Sequence, residues 1–241
     1  MLKASFRGLF WSLLFAGCVG RLGAQADDAP LQQTEVFARL APAQPRAAHT
    51  AERIPLAVIW LNPLRADAAR PLATENYSLL QKNKMFTPHL LVVPVGSSVV
   101  FPNADPFFHN VFSLFDGRRF DLGLYEAGST RSVVFSREGI SYIFCNIHSD
   151  MSAVVIALST PYFGLSDPHG AFRIKNVPEG DYDLHIWIEG ERQTVLDRLT
   201  RRVHISGVIT DMGDFYSSRQ MPQPHLNKFG RPYEPDAHPV Y

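Results

Sequence analysis

A cysteine, a histidine and a methionine follow one another at three-residue intervals in the second half of the chain. They are Cys145, His148 and Met151, in the segment 144–151 between two apolar runs. Given one cysteine, 9 histidines and 5 methionines among 241 residues would match both offsets by chance with a probability of roughly 1 in 1,300. A loop of this length can fold three side chains around one point, so the spacing indicates a metal site.

A further histidine, His109, stands at the end of a different apolar run, in the segment 103–110. Two imidazoles and a thiolate in a trigonal set, with a thioether as a weak axial ligand, are the donors of a blue-copper site. Sulfur favours Cu(I) and imidazole accepts Cu(II), so such a site exchanges one electron with little rearrangement. We therefore expect one copper ion per chain, bound by His109, Cys145, His148 and Met151. Apolar neighbours would keep water from it, namely Phe107, Phe108, Phe144 and Ile147.

Other roles are open to these residues. Asp150 could join Cys145 and the two histidines in a tetrahedral zinc site. Cys145 could instead be a catalytic nucleophile, although no helix N-terminus or orienting group is predicted beside it. Met151 could fill the core without binding metal. A copper oxidase would need further copper centres, and the remaining histidines lack ligand spacing to one another: His49, His89, His169, His185, His204, His225 and His238.

The elements that must position these ligands are predicted to be strands. Short β-branched and aromatic runs alternate with Gly, Pro, Asn and Asp, while helical periodicity is scarce. The predicted strands cover residues 35–40, 54–61, 90–93, 98–101, 111–115, 130–135, 141–144 and 153–158. Residues 65–84 are polar and are predicted to form a loop or a short helix. The series predicts an all-β sandwich or barrel.

On these motifs the region 85–158 resembles the cupredoxins, the small blue copper proteins. Its Cys-x2-His-x2-Met loop is similar to the amicyanin and plastocyanin type, and the pair His109-Asn110 also matches the family. The resemblance implies a Greek-key β-sandwich with copper held by the four residues named above. It implies that Asn110, next to a ligand, ties the two ligand loops together. It also implies a surface where electrons enter, formed by His148, Ile147, Phe107 and Phe108.

Residues 170–184 carry a second pattern. After Gly170, the sequence from Phe172 to Leu184 follows F-x-I-x-x-V-P-x-G-x-Y-x-L, which is similar to carboxypeptidase-regulatory-like, or transthyretin-like, β-sandwiches. The chain also resembles bacterial periplasmic proteins described as methylamine-utilisation-like or plastocyanin-like. This unit has no ligand cluster, and we expect Trp60 and Trp187 in its core. We expect the strand at 54–61 to complete it together with residues 161–206, so that the copper region is an insertion.

The first residues predict export. Lys3 and Arg7 precede an apolar stretch at 8–20, and small residues at 24–26 offer a cleavage site. The apolar stretch is too short to span a bilayer comfortably, so no transmembrane span is expected in the mature chain. In an alternative interpretation, Cys18 ends a lipobox-like sequence and carries a lipid that tethers the protein to a bacterial membrane. In both cases Cys145 is the only cysteine of the mature fold.

The predicted organisation therefore has six parts. These are a signal peptide at 1–26, a loosely ordered segment at 27–50, the first strands of the regulatory-like unit with a connecting segment at 51–84, the copper domain at 85–158, the regulatory-like unit at 159–209 and a Pro-rich tail at 210–241 that covers the surface or stays mobile.

Composition narrows the function. Lys+Arg and Asp+Glu both number 23, so the chain has no excess of positive charge that would indicate binding to nucleic acid. We expect an electron carrier, not an enzyme, that passes single electrons between unidentified redox proteins in the periplasm or outside the cell. The alternative is a periplasmic copper protein for storage, delivery or sensing.

Overall fold

The structure of the protein is a computed structural model that describes residues 33–42, 54–65, 75–114, 117–218 and 225–233. Strands dominate these residues, and their one α-helix is α1, Gln193–Leu199. The strands are β1 Gln33–Pro42, β2 Ala57–Pro63, β3 Asn76–Ser78, β4 Leu80–Lys82, β5 Met85–Thr87, β6 Leu90–Pro94, β7 Ser98–Pro102, β8 His109–Ser113, β9 Phe120–Tyr125, β10 Thr130–Val134, β11 Gly139–Cys145, β12 Ser152–Leu158, β13 Phe163–Leu165, β14 Ala171–Pro178, β15 Gly180–Ile188, β16 Arg201–Ile205 and β17 Ile209–Ser217. The all-β fold class predicted from the sequence is confirmed.

One β-sandwich contains the segments that carry the predicted ligands. Its first layer is a five-stranded sheet in the order β6-β12-β11-β8-β9, and its second is a three-stranded sheet in the order β10-β7-β3. The two layers enclose a hydrophobic core to which β7 contributes Val99 and Phe101, and β11 contributes Ile143 and Cys145. Alternation along β7, with Val99 and Phe101 buried and their neighbours half-buried, is the period of two that a half-buried strand requires.

A second core lies on the other face of β12. Along this strand Val154 and Ile156 belong to the second core, whereas Ala153 and Val155 belong to the first. Because β12 is buried on both faces, its residues from Ala153 onwards are all apolar instead of alternating with polar ones.

Two further sheets build the second core. They have the strand orders β13-β2-β15-β16 and β14-β1-β17. Trp60 and Trp187 are buried in this core, as predicted, and the Trp187 indole N–H donates to the Tyr142 hydroxyl of β11 at 3.1 Å. Strand β2 pairs with β13 and β15, so the early strand lies in one sheet with two later strands. The predicted domain boundaries stay a prediction.

Two segments form strands where the sequence indicated irregular structure. Residues 65–84, predicted to be loop or short helix, contain β3 and β4. Strand β4 pairs with β5 across a turn in which Asn83 and Lys84 both have φ of 56°, and two left-handed residues match the twist of a tight hairpin. The segment after residue 209 was expected to cover the surface or stay mobile, but β17 pairs in parallel with β1. Backbone pairing and the buried Phe215 hold it there.

Some expectations fall on residues outside the described ranges. The predicted signal peptide at 1–26, with Cys18, lies among them. Of the segment 27–50, residues 33–42 are described and form β1, where a short strand was predicted at 35–40. Within the described ranges, no helix has both the length and the apolar character needed to cross a bilayer.

Candidate metal centre

Two paired strands and one turn bring the predicted ligands together. His109 is the first residue of β8, Cys145 is the last residue of β11, and these strands are antiparallel neighbours with Cys145 opposite Val111. The turn from β11 to β12 carries His148, and it is closed by hydrogen bonds from the Met151 N–H to the His148 carbonyl and from the Cys145 N–H to the Met151 carbonyl. The short ligand loop therefore folds back on itself beside His109.

Both imidazoles turn the same nitrogen towards the cysteine sulfur. The Cys145 Sγ lies 3.7 Å from His109 Nδ1 and 3.4 Å from His148 Nδ1. The ligand atoms of these residues all lie within 4.8 Å of one another, and they form the one group of three or more His, Cys, Asp or Glu residues so arranged among the described residues. Metal–nitrogen bonds of about 2.0 Å and a metal–sulfur bond of about 2.3 Å, at trigonal angles, separate nitrogen and sulfur by about 3.7 Å. The observed separations fit one shared metal ion.

The remaining residues of the predicted site differ in exposure. Met151 is fully buried in the same core as Cys145, a position that suits an axial ligand and also suits packing, so its role stays a prediction. Asp150 is exposed and lies outside the group of three, which disfavours the zinc set that includes it.

The predicted surface where electrons enter lies around His148, which is half-buried. The Phe107 ring packs against both histidine rings, with centroids 5.3 Å from His109 and 5.7 Å from His148. Phe108 is 47% exposed and Ile147 is 36% exposed. Because His109 is fully buried, His148 is the histidine of the group that reaches solvent.

The environment of Cys145 suits a metal-bound thiolate better than a free nucleophile. Burial raises the pKa of the Cys145 thiol, while backbone N–H groups of Asn110, Ile147 and His148 hydrogen-bond to the sulfur and act in the opposite direction. A buried thiol with a raised pKa is a poor nucleophile. The three N–H groups would stabilise negative charge on the sulfur once a metal has displaced its proton.

A buried carboxylate orients His109. The His109 Nε2 lies 2.8 Å from Asp105 Oδ2, and both residues are buried. With Nε2–H donated to the carboxylate, Nδ1 keeps a lone pair that faces the Cys145 sulfur and could bind a metal ion there. Asp105 also accepts the backbone N–H of Asn83 at 2.6 Å and of Lys84 at 2.9 Å, so it anchors the β4–β5 turn as well.

The charges of this pair follow from burial and hydrogen bonding. Burial lowers the pKa of His109, and the bond to Asp105 raises it only in part, so the imidazole stays neutral and able to bind metal. Burial on its own would raise the pKa of Asp105, but hydrogen bonds from Lys84, His109 and Asn83 bring that pKa below its usual value. Asp105 was not among the residues predicted for the site, although it precedes His109 by four residues. Only the fold of residues 105–109 shows that the two side chains meet.

Asn110 is buried beside the cysteine. Its side-chain amide donates to Asp121 Oδ1 on β9 at 2.7 Å, and its backbone N–H hydrogen-bonds to the Cys145 sulfur. The Asn110 backbone therefore contacts the predicted ligand of the neighbouring strand. Its predicted role as the residue that ties the ligand loops together stays a prediction.

No protein-family model matches the chain, and no curated protein matches it. Among solved structures, a purple cupredoxin from Nitrosopumilus maritimus is 23% identical over 34% of this chain and 99% of its own, with a TM-score of 0.32. A copper-containing nitrite reductase from Thermus scotoductus is 22% identical over 40% of this chain and 27% of its own, with a TM-score of 0.34. The reduced form of an amicyanin variant is 21% identical over 38% of this chain and 89% of its own, with a TM-score of 0.32.

Proposed function

We propose that this protein is a blue-copper electron carrier, in which His109, Cys145 and His148 hold one copper ion and Met151 is the axial ligand. The observation that carries the proposal is the approach of two imidazole Nδ1 atoms to one buried cysteine sulfur, at 3.7 and 3.4 Å. One thiolate with two imidazoles is the donor set that stabilises both Cu(I) and Cu(II). Copper bound there supplies the one-electron chemistry.

The chain keeps this donor set rigid. His109 and Cys145 belong to neighbouring strands of one sheet, and Asp105 fixes the orientation of the His109 ring. Ligands that cannot move far keep the same positions in both oxidation states, which lowers the cost of each electron transfer. The fully buried Cys145 and His109 also keep water from the metal position.

Electrons reach the site through His148. This ring is half-buried, and the exposed side chains of Phe108 and Ile147 provide apolar contact area for a partner. We propose redox proteins as the partners and the periplasm as the location, the latter on the export signal expected at 1–26. The protein carries electrons in this proposal and is not itself an enzyme.

Copper storage, delivery or sensing is the competing function, and Ile147→Glu separates it from electron transfer. Self-exchange brings two copies together at their His148 edges, so the variant places like charges in contact. We expect electron self-exchange to slow about tenfold, because like charges in an interface oppose association. Copper retention should not change, because Ile147 contributes its backbone N–H and not its side chain to the sulfur.

Self-exchange rates and competition with a Cu(I) chelator measure these two quantities. Val208→Glu is the matched control, because it introduces the same charge at another exposed apolar residue. Val208 is 68% exposed and precedes β17, whose Phe215 packs in the second core and not in the core that contains Cys145. Copper that is lost to a moderate chelator within seconds, together with sluggish self-exchange in the wild type, would favour delivery.

The axial position has its own test. Met151→Leu removes the thioether at nearly constant volume, so the protein should stay coloured and its reduction potential should rise. Met151→Gln supplies a stronger oxygen donor, which stabilises Cu(II) and should lower the potential. Redox titration of both variants measures the two shifts. If neither variant changes the potential, Met151 packs the core and is not a ligand.

A further inference from the structure

A segment near the C-terminus is attached to the ligand loop from outside the sandwich. We name residues 225–233 the C-terminal strap. The Tyr233 hydroxyl donates to the Cys145 carbonyl at 2.7 Å, and the Lys228 N–H donates to Asn146 Oδ1 at 2.9 Å. Two consecutive residues of the ligand loop, one of them a predicted metal ligand, are therefore bound by residues more than 80 positions later in the chain.

Other contacts fix the strap itself. The Lys228 ammonium lies 2.8 Å from Asp121 Oδ2 on β9. The His225 ring stacks on Phe144, with centroids 4.1 Å apart and planes at 27°. Phe144 directly precedes Cys145, so the strap also contacts the strand that leads into the ligand loop.

Donor counting assigns the hydrogen bonds around Tyr233. Its hydroxyl has one proton, which goes to the Cys145 carbonyl, so the contact of 3.2 Å with His225 Nδ1 needs the imidazole N–H as donor. A tyrosine hydroxyl carries its proton at neutral pH, so it is available as the donor.

The anchored residues lie next to the groups that contact the sulfur. The backbone N–H groups of Ile147 and His148, which follow Asn146 directly, hydrogen-bond to the Cys145 Sγ. Such bonds withdraw electron density from a metal-bound sulfur and thereby favour the reduced metal. A loop held at Cys145 and Asn146 keeps these two donors in place.

We propose that the C-terminal strap is a positioning element of the metal centre: Tyr233 and Lys228 hold the ligand loop so that the N–H groups of Ile147 and His148 stay on the Cys145 sulfur. In this way the strap raises the reduction potential and slows copper loss. The proposal rests on the blue-copper function proposed above. Its residues lie outside the predicted copper domain at 85–158, so the centre would depend on the later part of the chain.

Tyr233→Phe tests the proposal, because it removes the hydroxyl and keeps the ring. In the metal-free protein, we expect amide hydrogen exchange at Ile147 and His148 to become about tenfold faster, which corresponds to the loss of one hydrogen bond. In the copper-loaded protein, we expect a lower reduction potential and about tenfold faster copper release to a Cu(I) chelator. Tyr216→Phe is the control, since Tyr216 is a 55% exposed tyrosine on β17.

A second variant tests the other anchor, the hydrogen bond from the Lys228 N–H to Asn146. Asn146→Ala removes the acceptor of the Lys228 N–H and should shift all three quantities in the same directions as Tyr233→Phe. Unchanged exchange at Ile147 and His148, an unchanged potential, or exchange that becomes faster throughout β11 and β12 would overturn the proposal. If the wild type forms no coloured copper site, the proposed function fails, and amide exchange in the metal-free protein still shows whether the strap holds the loop.

Discussion

Replacing Asp105 by alanine is expected to weaken copper binding by about 10- to 100-fold, the usual cost of removing a carboxylate that orients a metal-binding histidine. His109 would lose the acceptor of its Nε2–H, at present 2.8 Å away. A freed ring can rotate or exchange tautomers, and Nδ1 would then no longer be directed at the metal position. Copper affinity measured by chelator competition gives the result.

The same variant should also destabilise the metal-free fold. A buried donor without a partner costs about 1–3 kcal/mol, and the N–H groups of Asn83 and Lys84 lose their acceptor as well. Asp105→Asn is the matched control. It keeps the volume and one acceptor oxygen, so we expect a smaller loss of affinity. The neutral asparagine amide makes the His109 imidazole a weaker donor to Cu(II) than the carboxylate does, and this should raise the reduction potential. If Asp105→Ala keeps the copper affinity of the wild type and loses only stability, Asp105 anchors the β4–β5 turn and does not orient the ligand.

The second large effect is expected for Cys145→Ser, which should abolish the visible colour of the copper-loaded protein. The colour of a blue-copper site comes from charge transfer between thiolate and copper, so replacing sulfur by a hydroxyl oxygen removes its source. The variant should still fold, because serine is close to cysteine in size and its oxygen can accept the same backbone N–H groups. Circular dichroism of the metal-free variant checks the fold. A visible band of wild-type strength in Cys145→Ser would show that the sulfur is not a ligand.

The parts of this molecule that the sequence predicted are those encoded by local patterns. Strands such as β7 and β12 follow from short β-branched runs, because burial on one or two faces selects those residues. The triad His109, Cys145 and His148 was also predictable. Two of its members share one loop, and the third stands at the end of a strand that pairs with β11.

The parts that the sequence did not predict depend on contacts between distant residues. Asp105 acts on His109 only because the chain between them turns back. Tyr233 reaches Cys145 across 88 positions, and no periodicity or spacing encodes such a pair. Strand β17 was missed for a similar reason, since its pairing with β1 joins segments about 175 residues apart. The prolines of the C-terminal region led us to expect a tail from 210 onwards that covers the surface or stays mobile. The first of these prolines is Pro222, which lies beyond the end of β17.

Copper binding by the three residues is tested most directly by titrating the metal-free protein with Cu(II) and following the visible absorption, with Cys145→Ser measured alongside. We expect that one equivalent of copper gives an intense visible band in the wild type and none in the variant. Tight zinc binding by the wild type, with Cu(II) binding that produces no strong visible absorption, would contradict it.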